Sequence, residues 1–217
     1  MILYGHPFSS YTWKAAIALD EKGLTYELRT IGPDQPEHSA QLAALWPLAK
    51  FPVIDDAGTA VSESSIIAEH LDLHHPGPRL IPVDPEQALT VRFMDRMFDN
   101  HVMGNMQGVV NEHLAFVTPT PDPFRIERAK AALDTIYSWL ETALPDAPWA
   151  CGDDFTLADC AAAPSLFYAD WAHPIDSKFA RLRAYRTRLL ARPSTARAVD
   201  GARPYRHFWP LGPIDRD

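Results

Sequence analysis

The sequence predicts a small α/β domain followed by a domain made only of helices. Strand-like and helical patterns follow one another in the order βαβ and then ββα within residues 1–76, which is the thioredoxin-like arrangement. Residues 75–85 contain four prolines and no helical period, which is typical of a linker. We therefore expect a thioredoxin-like domain at 1–76, a linker at 77–84 and an all-α domain at 85–217.

The elements of the first domain are placed by apolar periodicity and by the residues that end helices. Gly23 is positioned to end the first helix, and Pro47 stops the second. In order, we expect a strand at 2–4, a helix from about Ser10, a strand at 26–29, a helix at 40–46, a hairpin of 53–54 with 60–61, and a helix from Ser64 to about His75.

The second domain begins with a long helical pattern. Apolar residues recur at helical spacing from 87 to about 116, and Gly104 and Gly108 within this stretch suggest a kink or a close approach of another backbone. Further along, Thr156 and Asp159 have the spacing of a capping box, in which each side chain accepts a hydrogen bond from the other residue's backbone N–H. A buried helix is therefore expected to begin there.

Pro52 opens a strand pattern, which is unusual because proline has no N–H for the strand ladder. A cis-proline that turns the backbone groups of Phe51 toward a ligand would explain it. Glu63 and Ser64 lie directly ahead of a helical pattern. Since a helix N-terminus offers free N–H groups and a positive dipole end, this segment suits a carboxylate. Both segments are therefore candidate ligand-binding elements.

These two segments, the loop Pro7-Phe8-Ser9-Ser10-Tyr11 and the capping box together resemble the cytosolic glutathione S-transferases. The landmarks occur in the family's order and spacing and cover essentially the whole chain. The consecutive serines are closest to bacterial serine-type members near the zeta and theta classes. The resemblance implies the glutathione S-transferase fold, glutathione as co-substrate and no metal.

The resemblance also implies that a hydroxyl at the start of the first helix activates the glutathione thiol. A free thiol has a pKa near ~8.5, and lowering it by ~2 units requires ~2.7 kcal/mol, which a hydroxyl donor and a helix N-terminus can supply together. Ser9 is the expected donor and Ser10 the alternative; a third possibility is that one serine only caps the helix. No cysteine lies in this loop, which argues against the thiol-reducing chemistry of omega-like members.

Five residues are implied to bind glutathione. Phe51, beside Pro52, is expected to bond the cysteinyl backbone, Glu63 and Ser64 the γ-glutamyl group, and Lys50 the glycyl carboxylate. The family's frequent Asn-Pro-x-Gly-Lys loop reads Trp46-Pro47-Leu48-Ala49-Lys50 here, without its asparagine and its glycine, which puts the shape of the loop in question.

The pocket for the second substrate is less well defined by the sequence. Tyr11 follows the two serines and is expected to line it. Met103 and Met106 are also candidates, because methionine adapts to varied apolar ligands, but they fit the core equally well. Nothing in the sequence specifies the natural substrate, since the fold alone does not give the function.

Charge and composition exclude other classes of function. A formal net charge of −8 argues against nucleic acid or an anionic membrane as partner, because both need clustered Lys and Arg. No segment approaches the ~18 apolar residues of a membrane span, and the start does not resemble a signal peptide. With Cys151 and Cys160 expected to be reduced thiols, a cytoplasmic protein is expected. His70 and His74 have the spacing of a helical metal pair, but without a third ligand nearby in sequence we expect a solvated helix end.

The expected function is that of a glutathione transferase, which conjugates glutathione to a small hydrophobic electrophile. A zeta-like isomerase or a dehalogenase would use the same thiolate, and a non-catalytic regulatory protein of the stringent starvation type is a further alternative. The resemblance implies a homodimer, with the N-terminal domain of one subunit against the C-terminal domain of the other. The proline- and aromatic-rich segment 203–211 is expected to be ordered and to pack on the protein.

Overall fold

The computed structural model describes residues 1–217. The first domain contains a mixed sheet of four strands, β1 (Ile2–Gly5), β2 (Glu27–Thr30), β3 (Val53–Asp56) and β4 (Thr59–Ser62), in the order β2-β1-β3-β4. Only β1 and β2 are parallel. Three helices accompany the sheet: α1 (Ser10–Glu21), α2 (Pro36–Leu45) and α3 (Ser64–His74). The predicted thioredoxin-like arrangement is confirmed.

The second domain consists of helices, as predicted. After the linker, α4 (Pro85–Arg96) continues into a π-helical segment (Met97–Met103) and α5 (Gly104–Asn111). Then follow α6 (Pro123–Ala143), α7 (Leu157–Ala172), α8 (Ala180–Ala191), α9 (Pro193–Ala202) and a short 3₁₀ helix (Arg203–Phe208). No helix combines the length and the apolar character needed to cross a bilayer.

The long helical stretch predicted from 87 to about 116 is helical throughout from Pro85 to Asn111, with a π-helical segment within it, so only its bounds are wrong. Asp84 caps α4 by accepting a hydrogen bond from the Gln87 N–H at 2.9 Å, so this helix starts earlier than expected. The π-helical segment lies directly ahead of Gly104, where a kink was expected. At Gly108 a Cβ would lie 3.4 Å from the Ala129 Cβ, so α5 and α6 approach closely at this glycine.

Helix α7 forms the centre of the core, and all but one of its residues are buried. The predicted capping box of Thr156 and Asp159 is present at its start. On α1, Trp13 packs against Phe167 and Tyr168 of α7, with ring centroids 4.9 and 5.3 Å apart. A single core of 48 buried residues therefore spans both domains, and their division at 77–84 stays a prediction.

Candidate active site

A cavity of about 680 Å³ lies between the first domain and α4. Its wall is formed by the loop before β3, the start of α3, the first turn of α1 and one face of α4. Four segments from different parts of the sequence thus meet at one place. Six predicted site residues lie in this wall: Tyr11, Lys50, Phe51, Pro52, Glu63 and Ser64.

The loop before β3 exposes its backbone to the cavity. The peptide bond between Phe51 and Pro52 is cis. None of the hydrogen bonds of turns and loops uses the N–H or C=O of Phe51, so both groups are available to a peptide-like ligand. Ala49 has a φ of 50°, in the left-handed region that favours glycine. The loop therefore adopts a glycine-like conformation although it lacks the glycine of the family pattern.

The start of α3 offers groups for both a cation and an anion. Glu63 has a φ of 69°, and its side chain makes no capping hydrogen bond, so the carboxylate remains available. A non-glycine residue in this region carries a strain of about 1–3 kcal/mol and persists only where its surroundings enforce it. Ser64 begins the helix, whose first N–H groups have no partner within it. A ligand that carries both an amine and a carboxylate would suit this place.

Ser9 is the N-cap of α1. Its backbone is extended, and its Oγ accepts a hydrogen bond from the Thr12 N–H at 3.3 Å. Because this hydroxyl acts as an acceptor, its own proton is free to be donated elsewhere. The N–H groups of Ser10 and Tyr11, in the first turn, have no partner within the chain. Capping and thiol activation are therefore compatible roles for Ser9, although neither serine lies in the cavity wall itself.

A buried ionic network lies beside the cavity, and sequence analysis missed it. Lys14 of α1, with a side chain only 1% exposed, donates to Asp95 at 2.5 Å, to Asp99 at 2.6 Å and to Ser65 at 2.8 Å. Arg96 contacts the same two carboxylates. Burial raises the pKa of Asp99, and Lys14 opposes this effect. Two cations, Lys14 and Arg96, thus contact two carboxylates. Both Lys14 and Asp95 also bond the Ser65 hydroxyl, which holds the start of α3 against this network.

The sequence did contain a signal for this network. Asp95 and Asp99 are four residues apart on a predicted helix, which places both carboxylates on one face. Lys14 falls within the apolar pattern of α1, where an ionised group needs a partner. Neither observation indicates that Lys14 is the partner of these carboxylates, because the residues in contact are more than 80 positions apart in the sequence.

The α4 side of the cavity is polar. Met103 and Met106, the candidates for a hydrophobic pocket, are only 1% and 3% exposed and belong to the core instead. The structure does not bring them to the cavity, because the π-helical segment and α5 pack on α7. Tyr11 does line the cavity, and burial, with Asp99 as the next cause, raises the pKa of its phenol, so the side chain stays neutral. The polar side chains that α4 and the π-helical segment contribute to the wall are Arg92, Asp95, Arg96, Asp99 and Asn100.

Fold and cavity define a two-domain class, in which a thioredoxin-like domain contributes a cis-proline loop and helix N-termini to a cleft bordered by a helical domain. The family model described as "Glutathione S-transferase, N-terminal domain" matches residues 3–79. The model described as "Glutathione S-transferase, C-terminal domain" matches residues 123–188. The chain belongs to the glutathione S-transferase family.

Individual relatives differ in name. A stringent starvation protein A homolog of Coxiella burnetii is 30% identical over 167 residues, 77% of this chain and 75% of that protein. A probable maleylacetoacetate isomerase of Vibrio cholerae is 27% identical over 211 residues, 94% of this chain and 97% of that protein. The crystal structure of a glutathione S-transferase domain-containing protein from Marinobacter aquaeolei superposes with a TM-score of 0.79 at 25% identity, over 90% of this chain and 100% of the other. Relatives within the family thus carry different names, so family membership alone does not give the activity of this chain.

Proposed function

We propose that this protein is a glutathione transferase that holds the glutathione thiol as a thiolate and adds it to a small electrophile. One observation carries the proposal: the cis-proline loop, the start of α3 and the first turn of α1 converge on a single cavity. Each of these segments offers groups that match one part of the tripeptide.

The binding roles follow from the chemistry of each group. The carboxylate of Glu63 pairs with the γ-glutamyl amine, and the start of α3, with Ser64, accepts the γ-glutamyl carboxylate. The free backbone groups of Phe51 bond the cysteinyl unit as an added strand would. Lys50 directly precedes Phe51 in the loop, and its ammonium group pairs with the glycyl carboxylate. Glutathione then spans the cavity with its sulfur toward α1.

Thiol activation is assigned to Ser9, with Ser10 as the alternative. The Ser9 hydroxyl donates to the sulfur, and the free N–H groups of the first turn of α1 add the positive end of the helix dipole. Both effects favour the thiolate, whose proton passes to solvent. With an aryl halide, the thiolate forms the new carbon–sulfur bond and halide leaves with the bonding electrons. The hydroxyl itself forms no covalent bond to the substrate.

The test combines calorimetry with glutathione and a conjugation assay with an aryl halide. We expect saturable binding of glutathione by the wild-type protein. Ser9→Ala is expected to reduce kcat by about 10²–10³, the loss typical of removing one donor to a developing anion, with little change in glutathione affinity. Loss of activity in Ser10→Ala alone would move the role by one residue. Full activity in both variants would contradict the serine mechanism.

A second candidate is a glutathione-dependent isomerase that acts on an anionic substrate. The polar α4 wall fits it better than an apolar pocket would, because Arg92 and Arg96 line the cavity and the expected methionines do not. In the single chain Arg92 pairs with Glu69, and Arg96 pairs with Asp95 and Asp99, so an anionic substrate would have to share these arginines. The isomerase relative of Vibrio cholerae points the same way. The test substrate is a cis-unsaturated dicarboxylate. Its isomerisation should require glutathione, and a kcat/KM higher than that for conjugation of an aryl halide would support this candidate over the transferase.

A non-catalytic regulatory role is the third candidate, and the Coxiella burnetii relative favours it. Glutathione binding without turnover of any electrophile would support it. For each candidate, we propose a homodimer as the assembly and the cytoplasm as the location. The two cysteines form no disulfide, in keeping with a reducing compartment.

A further inference from the structure

Three potential metal ligands meet where the end of β3 lies beside α3. Asp56 is the last residue of β3, His70 lies in α3, and His75 directly follows α3. The Asp56 Oδ2 is 2.9 Å from the His70 Nε2 and 2.6 Å from the His75 Nε2. The three ligand atoms all lie within 4.8 Å of one another. None of these residues lines the cavity.

The fold holds the three residues in place, with His70 inside α3. Asp56 is fixed by the hairpin, whose turn uses Ala57 and Gly58 with φ values of 52° and 92°. His75 is fixed by the end of α3: its N–H donates to the Leu71 carbonyl at 3.0 Å, and its extended backbone, with a φ of −125°, leaves the helical path. Its side chain therefore meets Asp56.

This local geometry explains why sequence spacing pointed to a different pair. His70 and His74 share a helix face, and their ring centroids are 4.4 Å apart. However, the helix ends at His74, and the third ligand comes from β3, which no helical periodicity can reveal. The sequence therefore suggested a pair without a third ligand, whereas the structure forms a triad with His75.

We propose that Asp56, His70 and His75 bind a divalent transition metal, with Zn²⁺ as the best match. Two imidazoles and one carboxylate are a ligand set that zinc accepts, with water as the fourth ligand. Zinc–ligand bonds of about 2.0–2.1 Å in a tetrahedron place the ligand atoms about 3.3 Å apart, so shifts of less than about 1.5 Å suffice. The side chains are 17%, 14% and 22% exposed, so a hydrated ion can reach them.

The proposed ion would stabilise the fold of the first domain. It would tie the β3–β4 hairpin to the C-terminal end of α3, near the entry to the linker. In the absence of metal, the two histidine–aspartate hydrogen bonds make a weaker form of the same connection. The site is separate from the glutathione cavity, and it neither requires nor tests the transferase activity.

The test is calorimetric titration of the full chain with ZnCl₂ after removal of metals by a chelator. We expect one Zn²⁺ per chain and a higher melting temperature when it is bound. His70→Gln and His75→Gln should each weaken binding by more than about 100-fold, beyond the ~10–100-fold loss typical of residues that only orient a ligand. Two matched controls, His74→Gln and His113→Gln, should keep the wild-type affinity. Replacing Zn²⁺ by Co²⁺ should give the visible absorption of a four-coordinate site.

Three outcomes would overturn the proposal. The wild-type chain could bind less than half an equivalent of Zn²⁺, or His75→Gln could bind as tightly as wild type. Equal losses in His74→Gln and His75→Gln would show that the ligand set is wrong. Circular dichroism and a cooperative thermal unfolding transition check that each variant is folded. Asp56→Asn keeps hydrogen-bonding capacity without the charge and gives a second test if a histidine variant unfolds.

Discussion

Lys14 on α1 and Asp95 on α4 form a buried ion pair, with 2.5 Å between Nζ and Oδ1, which joins the thioredoxin-like domain to the helical domain. Both side chains are almost fully buried, so neither charge can be solvated by water. Since the ammonium group also contacts Asp99, its removal would leave two carboxylates facing each other with only Arg96 to compensate.

Lys14→Met should therefore destabilise the protein strongly. Removing one partner of a buried pair typically costs about 3–5 kcal/mol, because the remaining charge stays buried. Urea unfolding followed by circular dichroism measures the loss. The matched control is Lys178→Met, whose partner Asp176 is 4.0 Å away at the surface and which should change the free energy of unfolding by less than about 0.5 kcal/mol. Equal effects in the two variants would mean that the buried network does not stabilise the domain contact.

Ser9→Asp should separate the two roles of Ser9. Aspartate is as good an N-cap as serine, so α1 should keep its stability, whereas Ser9→Ala should lose about 1 kcal/mol. The aspartate carboxylate cannot donate a proton to the sulfur and repels the thiolate, so conjugation should fall at least as far as in Ser9→Ala. Unfolding curves and kcat for the three proteins provide the comparison. An active Ser9→Asp variant would show that Ser9 only caps the helix.

The fold could be predicted from the sequence because its elements leave local signals. Alternating strands, glycine and proline at helix ends, and the capping box at Thr156 depend on neighbours within a few residues. The helical stretch predicted from 87 to about 116 was less exact, because its π-helical segment left no local signal. This segment packs against α7, a contact that no local pattern reveals.

The site was predictable only in part, for the same physical reason. Pro52 and Glu63 could be found from local patterns, since Pro52 opens a strand pattern and Glu63 lies directly ahead of a helical one. The contacts of Lys14 with α4 and of His75 with Asp56 are tertiary, so nothing near either residue indicates them. Met103 and Met106 show the converse: their residue type suits a pocket or a core, and only the structure decides.

Cys151 and Cys160 should not react with alkylating agents in the folded protein. Burial raises the pKa of Cys151 to about 12 and that of Cys160 well above its usual value. At pH 8 a thiol with a pKa near 12 has about a thousandfold less thiolate than a free cysteine, and only the thiolate attacks iodoacetamide. Mass spectrometry should show no label on the native chain and two labels in urea. Rapid labelling of the native protein would indicate local opening around α7.

The exposed apolar side chains of α3 and α4, here called the α3/α4 patch, are Ile66, Leu73, Leu89 and Phe93. The bidentate pair of Arg92 with Glu69, at 2.9 Å, places the two helices side by side. Exposed apolar side chains of this kind are typical of interfaces, and we propose that a second copy of the chain covers them.

Leu73→Glu should convert the proposed dimer to a monomer. Leu73 is 74% exposed in the single chain, so the change should not disturb the fold, but it would bury a charge in the interface. Sedimentation should change from about twice 24.3 kDa to 24.3 kDa. The control Phe116→Glu replaces an apolar residue that is 86% exposed and lies outside the patch, and it should remain dimeric. A wild-type chain that is monomeric at micromolar concentration would rule out this assembly.

Trp209→Ala should destabilise the protein although the residue lies close to the end of the chain. Trp209 is buried, and its ring centroid is 5.4 Å from that of Trp171 and 6.0 Å from that of Tyr168, so the tail covers α7. Loss of a buried tryptophan typically costs about 3–5 kcal/mol, whereas the exposed Phe208 should tolerate alanine at less than about 1 kcal/mol. Truncation after Gly201 removes the same contact and should also lower the melting temperature. An unchanged melting temperature in the truncated chain would mean that the tail is not part of the cooperative fold.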